Sequence, residues 1–133
     1  MADDKTSVLL IDDKIEFVST MKDILASEKY SVITATNVKQ ALQQFKDAQP
    51  DIVILDVNLP DGDGLTLTPR LKKAPRKNKW LPVILMSSDA TIDDLVKGYQ
   101  AGCDDYLTKP TDPRILLAKL AVIRRILNLL PER

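Results

Sequence analysis

Four apolar stretches in this chain each end abruptly in polar chemistry. Ser7-Val8-Leu9-Leu10-Ile11 runs into Asp12-Asp13, and Ile52-Val53-Ile54-Leu55 into Asp56. Leu81-Pro82-Val83-Ile84-Leu85-Met86 runs into Ser87-Ser88, and the short Asp105-Tyr106-Leu107-Thr108 into Lys109-Pro110. Unbroken apolar runs of this length suit strands of a parallel sheet covered on both faces. Tyr30 to Thr34 alternates, carries Val32 and Ile33, and reads as a fifth strand. Helical spacing fills the intervals. Phe17, Val18, Met21, Ile24 and Leu25 form one stripe, and Ala41, Leu42 and Phe45 another. The second helix starts at Asn37, with Gln40 three residues on, as in a capping box. Ile92, Leu95, Val96 and Tyr99 mark a fourth helix, ended by Gly102. The last helix begins at Asp112-Pro113 and runs to about Leu130, where Pro131 stops it. Strands alternating with helices predict an α/β fold, a doubly wound five-stranded parallel sheet with helices on both faces.

The third helix breaks the pattern. Thr68-Pro69 falls inside it. Proline removes a backbone donor and clashes with the preceding turn, which costs roughly 3 kcal/mol in a helix interior. The sequence therefore predicts a kink, or a late start with Thr68 as the cap. The stretch from Lys72 to Trp80 that follows is basic and contains Pro75. It reads as a solvated loop or as a docking patch for an acidic partner, with Trp80 partly exposed.

The strand ends carry the candidate chemistry. In open parallel sheets, ligands bind beyond the carboxyl ends of the strands. Taken singly, Asp56 reads equally as a strand terminator or a helix cap, and Asp12 and Asp13 as a charged helix N-terminus. Together, three carboxylates, a hydroxyl and an ammonium converge on one edge. Neighbouring carboxylates repel unless a cation joins them. Hard oxygen ligands with room for water suit Mg2+ better than zinc. Lys109 adds a compact charge of the kind that holds a phosphoryl oxygen.

Composition narrows the alternatives. One hundred and thirty-three residues are enough for one domain with a real core. Lys plus Arg and Asp plus Glu number 19 each, so the net charge of zero favours neither nucleic acid nor an anionic membrane as partner. No apolar stretch is long enough to span a bilayer. The lone Cys103 fits a reducing, cytoplasmic setting and reads as a small packing residue. The absence of histidine excludes a Ser-His triad and disfavours zinc.

The acidic pair Asp12-Asp13, Asp56 with Pro60 and Gly64 behind it, Ser87, Tyr106 and Lys109-Pro110 stand in the order and spacing of a known family. The chain resembles the receiver domain of two-component response regulators, including the single-domain chemotaxis regulator, from about residue 7 to about residue 128. The resemblance implies a single receiver domain over 1–133 with the flavodoxin-like strand order 2-1-3-4-5. It implies that Asp56 accepts a phosphoryl group from a phosphohistidine on a sensor histidine kinase or a histidine phosphotransfer protein. Asp13 and Asp56 would ligate Mg2+ with the backbone carbonyl of Asn58, while Asp12 acts through water or as an acid behind the ligands. Lys109, preceding a cis proline, would pair with Asp56 and then with a phosphoryl oxygen. Ser87 and Tyr106 would switch the surface of the fourth helix, fifth sheet strand and last helix. The domain would catalyse only its own phosphorylation and dephosphorylation.

Some positions depart from that pattern. Ser88 stands where alanine or glycine is usual, and Thr111 where phenylalanine is frequent. The last helix carries apolar residues on more than one face, which suggests a second copy of the domain or a downstream output domain as partner. In receivers the side chains two positions after the acceptor and after the switch hydroxyl flank the path of the attacking water; here those are Asn58 and Asp89, so the resemblance implies fast loss of the phosphoryl group. A haloacid-dehalogenase-type phosphatase also uses an aspartate at a strand end. It needs a second acid two residues later, where this chain has Asn58. An unphosphorylated receiver fold serving only for interaction is the third reading.

Overall fold

The computed structural model describes residues 5–76 and 80–131. Along the chain stand β1 (Ser7–Ile11), α1 (Ile15–Ser27), β2 (Ser31–Ala35), α2 (Val38–Ala48), β3 (Ile52–Asp56), β4 (Asn58–Leu59), β5 (Gly62–Asp63), α3 (Gly64–Lys73), β6 (Val83–Ser87), α4 (Ile92–Ala101), β7 (Asp105–Thr108) and α5 (Pro113–Leu129). Five strands pair in parallel in the order β2-β1-β3-β6-β7. This is the expected doubly wound sheet, with β6 and β7 as its fourth and fifth strands. The small antiparallel hairpin β4–β5 was not foreseen.

Successive strand residues point to opposite faces, and that alternation builds two cores. Val8, Leu10, Ile54 and Ile84 pack under α1 and α5, where Met21, Leu25, Leu116, Leu120 and Ile123 meet them. Leu9, Ile11, Val53, Leu55 and Leu85 face the other way, onto Phe45 of α2 and Leu67 and Leu71 of α3. Residues of the central strands β1, β3 and β6 are almost wholly buried, as their unbroken apolar runs require.

Three expectations need correction. Helix α3 does not start late: it begins at Gly64 with Asp63 as cap and runs through Pro69. The Thr68 hydroxyl donates to the Gly64 carbonyl at 2.7 Å, inside the helix rather than at its start. The apolar stripe assigned to α4 is mostly outward: Ile92 is 79% exposed, Val96 47% and Tyr99 49%. The fully inward position is Gly98. In α2, Asn37 caps as expected by accepting from the Gln40 N–H, but Gln40 reaches back to Thr36 instead of closing a reciprocal box.

Of the basic stretch, residues 77–79 lie outside the described residues. Lys72 is already engaged, 2.7 Å from Asp104, which also accepts from the Trp80 indole at 3.3 Å and the Val83 N–H at 2.8 Å. Trp80 is half-buried and packs against the core.

Candidate functional site

Backbone pairing aligns the polar strand ends. The Lys109 N–H donates to the Ser87 carbonyl at 2.8 Å, and the Val57 N–H to the Met86 carbonyl at 3.0 Å. These bonds bring the residues after β3, β6 and β7 to one level, with Asp12 and Asp13 beside them after β1. Gly64 allows the loop behind β3 to close tightly: a Cβ there would sit 2.8 Å from the Asp56 carbonyl oxygen and 3.1 Å from Val57 Cα. Any other residue would push the acceptor loop away from the strand.

Asp56 is buried. One carboxylate oxygen accepts the Asn58 N–H at 3.1 Å, and the other accepts the Lys109 ammonium at 3.2 Å. Burial pushes its carboxyl above the ordinary range. The Asn58 N–H and Lys109 oppose that rise, while the nearby Asp12 charge adds to it. Asp12 is as deeply buried. Its Oδ1 accepts the Lys14 N–H at 2.9 Å, at the mouth of α1, and its Oδ2 accepts from Lys109 in a close contact. Asp13 is exposed at the rim. Carboxylate oxygens of Asp12, Asp13 and Asp56 all lie within 4.8 Å of one another. The peptide bond between Lys109 and Pro110 is cis.

One ammonium thus serves two buried carboxylates, with a third carboxylate at the edge. The surplus negative charge and the all-oxygen donor set fit a hard divalent cation such as Mg2+. Asn58, two residues after Asp56, is exposed beside the same cluster.

Ser87 and Tyr106 sit behind the acids. The Ser87 hydroxyl, buried, accepts the Asp89 N–H at 3.1 Å. Tyr106 is turned inward and buried; burial pushes its phenol up, and the neighbouring Ser87 opposes that rise. Its ring occupies the space that Gly98 leaves on α4, since a Cβ there would lie 2.7 Å from Tyr106 Cδ2.

A cleft of about 460 Å3 opens on Asp56. Phe17, Met21 and Ile24 of α1 form its apolar wall, with Lys109, Pro110 and Ser88 opposite. The sequence brought Asp12, Asp13, Asp56, Ser87 and Lys109 to one edge of the sheet, and the structure gathers them there; Asn58 follows Asp56 on the exposed side, and Tyr106 lies further back, paired with Leu85. The sequence did not single out Phe17, whose ring centroid is 4.4 Å from the Lys109 ammonium. That residue looked like one more apolar position of the α1 stripe.

The profile of the response regulator receiver domain matches residues 8–121. The chain is 37% identical to the transcriptional regulatory protein CseB of Streptomyces coelicolor over 92% of its length and 51% of that protein. It is 34% identical to the phosphate regulon transcriptional regulatory protein PhoB of Pseudomonas aeruginosa, over 90% of this chain and 52% of that one. The crystal structure of a two-component response regulator from Clostridium difficile superimposes with a TM-score of 0.83 at 29% identity, covering 92% of this chain and 98% of that one. The chain spans about half the length of the curated relatives it matches.

Proposed function

The chain belongs to the response regulator receiver domain family, and from that premise we propose that it receives a phosphoryl group on Asp56 from a phosphohistidine donor. The observation that carries this reading is the pairing of Asp56 with Lys109 at 3.2 Å, at the floor of an open cleft and beside two more carboxylates. In the step, an Asp56 carboxylate oxygen attacks phosphorus. The new O–P bond forms as the N–P bond to the donor imidazole breaks, and the imidazole leaves with its electron pair. Such transfers depend on positioning and on neutralising charge more than on nucleophile strength. Lys109 supplies a mobile positive charge that passes from the Asp56 carboxylate to a phosphoryl oxygen. Asp13, Asp56 and the Asn58 carbonyl would hold Mg2+, with Asp12 behind them, directly or through water. The bound ion adds positive charge against the oxygens of the transferred group.

Ser87 and Tyr106 would read the result. A phosphoryl group brings close to two negative charges and strong acceptors. The Ser87 hydroxyl, held by the Asp89 backbone and beside the Tyr106 phenol, would turn to donate to it. Tyr106 and the face formed by α4, β7 and α5 would follow, a population shift between two packings. Exposed Val96 and Tyr99 on α4 and Ile115, Val122 and Ile126 on α5 lie on that side of the molecule. They offer an apolar surface to a second copy or to an output domain. The donor would be a sensor histidine kinase or a histidine phosphotransfer protein. Residues about 7–128 would form the receiver unit. Among the described residues no helix is long and apolar enough to cross a membrane.

Incubation with Mg2+ and acetyl phosphate, followed by intact mass, tests the acceptor. The parent should gain one phosphoryl mass, lost in base or on hydroxylamine treatment. Asp56→Asn should gain none while keeping its circular dichroism. Labelling of the mutant at the parental stoichiometry would remove Asp56 from its role.

A further inference from the structure

Lys109 has three N–H donors, and two of them face the carboxylates of Asp12 and Asp56. The ammonium is largely withdrawn from water, with the side chain 13% exposed. Its remaining side meets the face of Phe17, with Nζ 4.4 Å from the ring centroid. A cation at that distance is attracted by the negative face of the ring, the more strongly where water is excluded.

Phe17 is an odd residue if its task is only to fill the core. It lies in the first turn of α1, between Glu16, which is exposed, and Val18, which is buried. It is itself half-buried at the edge of the apolar cluster under α1. The ring forms part of the wall of the cleft that opens on Asp56. It therefore stands between solvent and the ammonium that pairs with Asp56.

We propose that Phe17 is a positioning residue for Lys109, its ring face holding the ammonium beside the acceptor where water would otherwise hydrate it. The inference rests on the role given to Lys109 above and adds a partner to it. The physical case is the asymmetry of the alternatives. A third carboxylate on Lys109 would deepen the surplus negative charge at Asp56 and repel the incoming phosphoryl group. A water would compete for the same N–H that must later reach a phosphoryl oxygen. The ring does neither: it carries no net charge, demands no particular hydrogen-bond direction, and lets the ammonium pivot from Asp56 toward the phosphoryl group without leaving a favourable contact.

The test weakens the ring's field while keeping its shape. Phenylalanine at position 17 is replaced by its 4-fluoro, 3,5-difluoro and 3,4,5-trifluoro analogues, with Phe17→Tyr and Phe17→Leu alongside. The rate of phosphorylation by acetyl phosphate in excess Mg2+ is followed by intact mass. Independently, the side-chain ε-methylene and ζ-nitrogen resonances of Lys109 are followed by NMR without any donor. The expected result is a stepwise fall in rate with each fluorine, reaching roughly threefold to tenfold for the trifluoro ring. Tyr should keep the parental rate and Leu should match the trifluoro ring. The Lys109 resonances should move in the same order, and lose their ring-current shift in Phe17→Leu. A rate and a set of Lys109 resonances that stay flat across the fluorinated series would overturn the proposal, leaving Phe17 as packing. A parent that takes no phosphoryl group at all would instead sink the reading of Asp56, and the resonance series would still decide whether the ring holds the ammonium.

Discussion

Asp56 and Asp12 differ little in burial or in hydrogen bonding, yet of the two it is Asp56 that lines the cleft. Asp12 spends one oxygen on the Lys14 N–H at the start of α1 and the other on Lys109. Asp56 has a single backbone donor, Asn58, and shares Lys109. Each thus has one backbone donor and a share of Lys109; what sets Asp56 apart is that it lines the cleft, which suits it to the acceptor role. The sequence located these residues because each follows an apolar run, and the parallel topology then forces the run ends together. It could not separate Asp12 from Asp56, because which of them lines the cleft depends on how α1 and the loop carrying Lys109, 97 positions from Asp12, pack over the strand ends. At the same scale, Asn58 and Asp89 are both exposed beside the site, and each can hydrogen-bond a water placed opposite the Asp56 oxygen. Replacing Asn58 by Met and Asp89 by Leu should therefore slow loss of the phosphoryl group several-fold, a change of about 1 kcal/mol in the barrier. Decay followed by phosphorus NMR after removal of the donor reads this directly. A double mutant that decays at the parental rate would exonerate both side chains.

At the scale of elements, the sheet strands were legible to within two residues, β6 beginning at Val83 rather than Leu81, because burial on both faces leaves few polar positions to confuse the pattern. β2, an edge strand, was displaced by one residue: Tyr30 is buried but lies before the strand proper. Helix α3 was misread for a physical reason. The penalty for Pro69 is real, but Asp63 accepts the Thr66 N–H at 2.7 Å and anchors the helix start five residues before the prolyl peptide. Buried Leu67 and Leu71 then hold both sides of the proline against the core. Packing outweighs the lost donor. Similarly, the start of α2 is capped from a distance. Asp61, between β4 and β5, accepts the Val38 N–H at 2.7 Å and the Lys39 N–H at 3.2 Å, and these bonds draw its carboxyl below the ordinary range. No rule of local spacing could find a cap 23 residues downstream. The tolerated proline makes a prediction. Pro69→Ala should restore a donor to the Leu65 carbonyl and improve helix propensity, offset by greater freedom of the unfolded chain, for a net gain of about 1 to 2 kcal/mol. Urea unfolding measures it. An unchanged or lower midpoint would mean that the ring packs better than the helix bond it displaces.

Across the whole molecule, the proposed switch would link the acceptor end of the sheet to the α4–β7–α5 face through Ser87, Tyr106 and Gly98. Ser87 ends β6, Tyr106 lies in β7 beside it, and the Tyr106 ring enters the notch that Gly98 leaves in α4. In most exposed helices, Gly→Ala is stabilising by up to about 1 kcal/mol through propensity alone. Here the added methyl would stand 2.7 Å and 2.9 Å from two atoms of the Tyr106 ring, and 3.3 Å from a methyl of Leu85. Leu85 lies in a central strand and is fully buried, so it cannot give way. The ring is the part that can shift, since β7 is the edge strand of the sheet and Lys97 and Tyr99 beside Gly98 are exposed. Gly98→Ala should therefore drive Tyr106 from its inward position. Asp56 is not touched by this change, so phosphorylation by acetyl phosphate should proceed at close to the parental rate. What should be lost is the consequence: the amide resonances of α4, β7 and α5 that shift on phosphorylation of the parent should hardly move in the mutant. If instead both proteins showed the same phosphorylation-induced shifts, the ring of Tyr106 would be a passenger, and the signal would leave the site by another path.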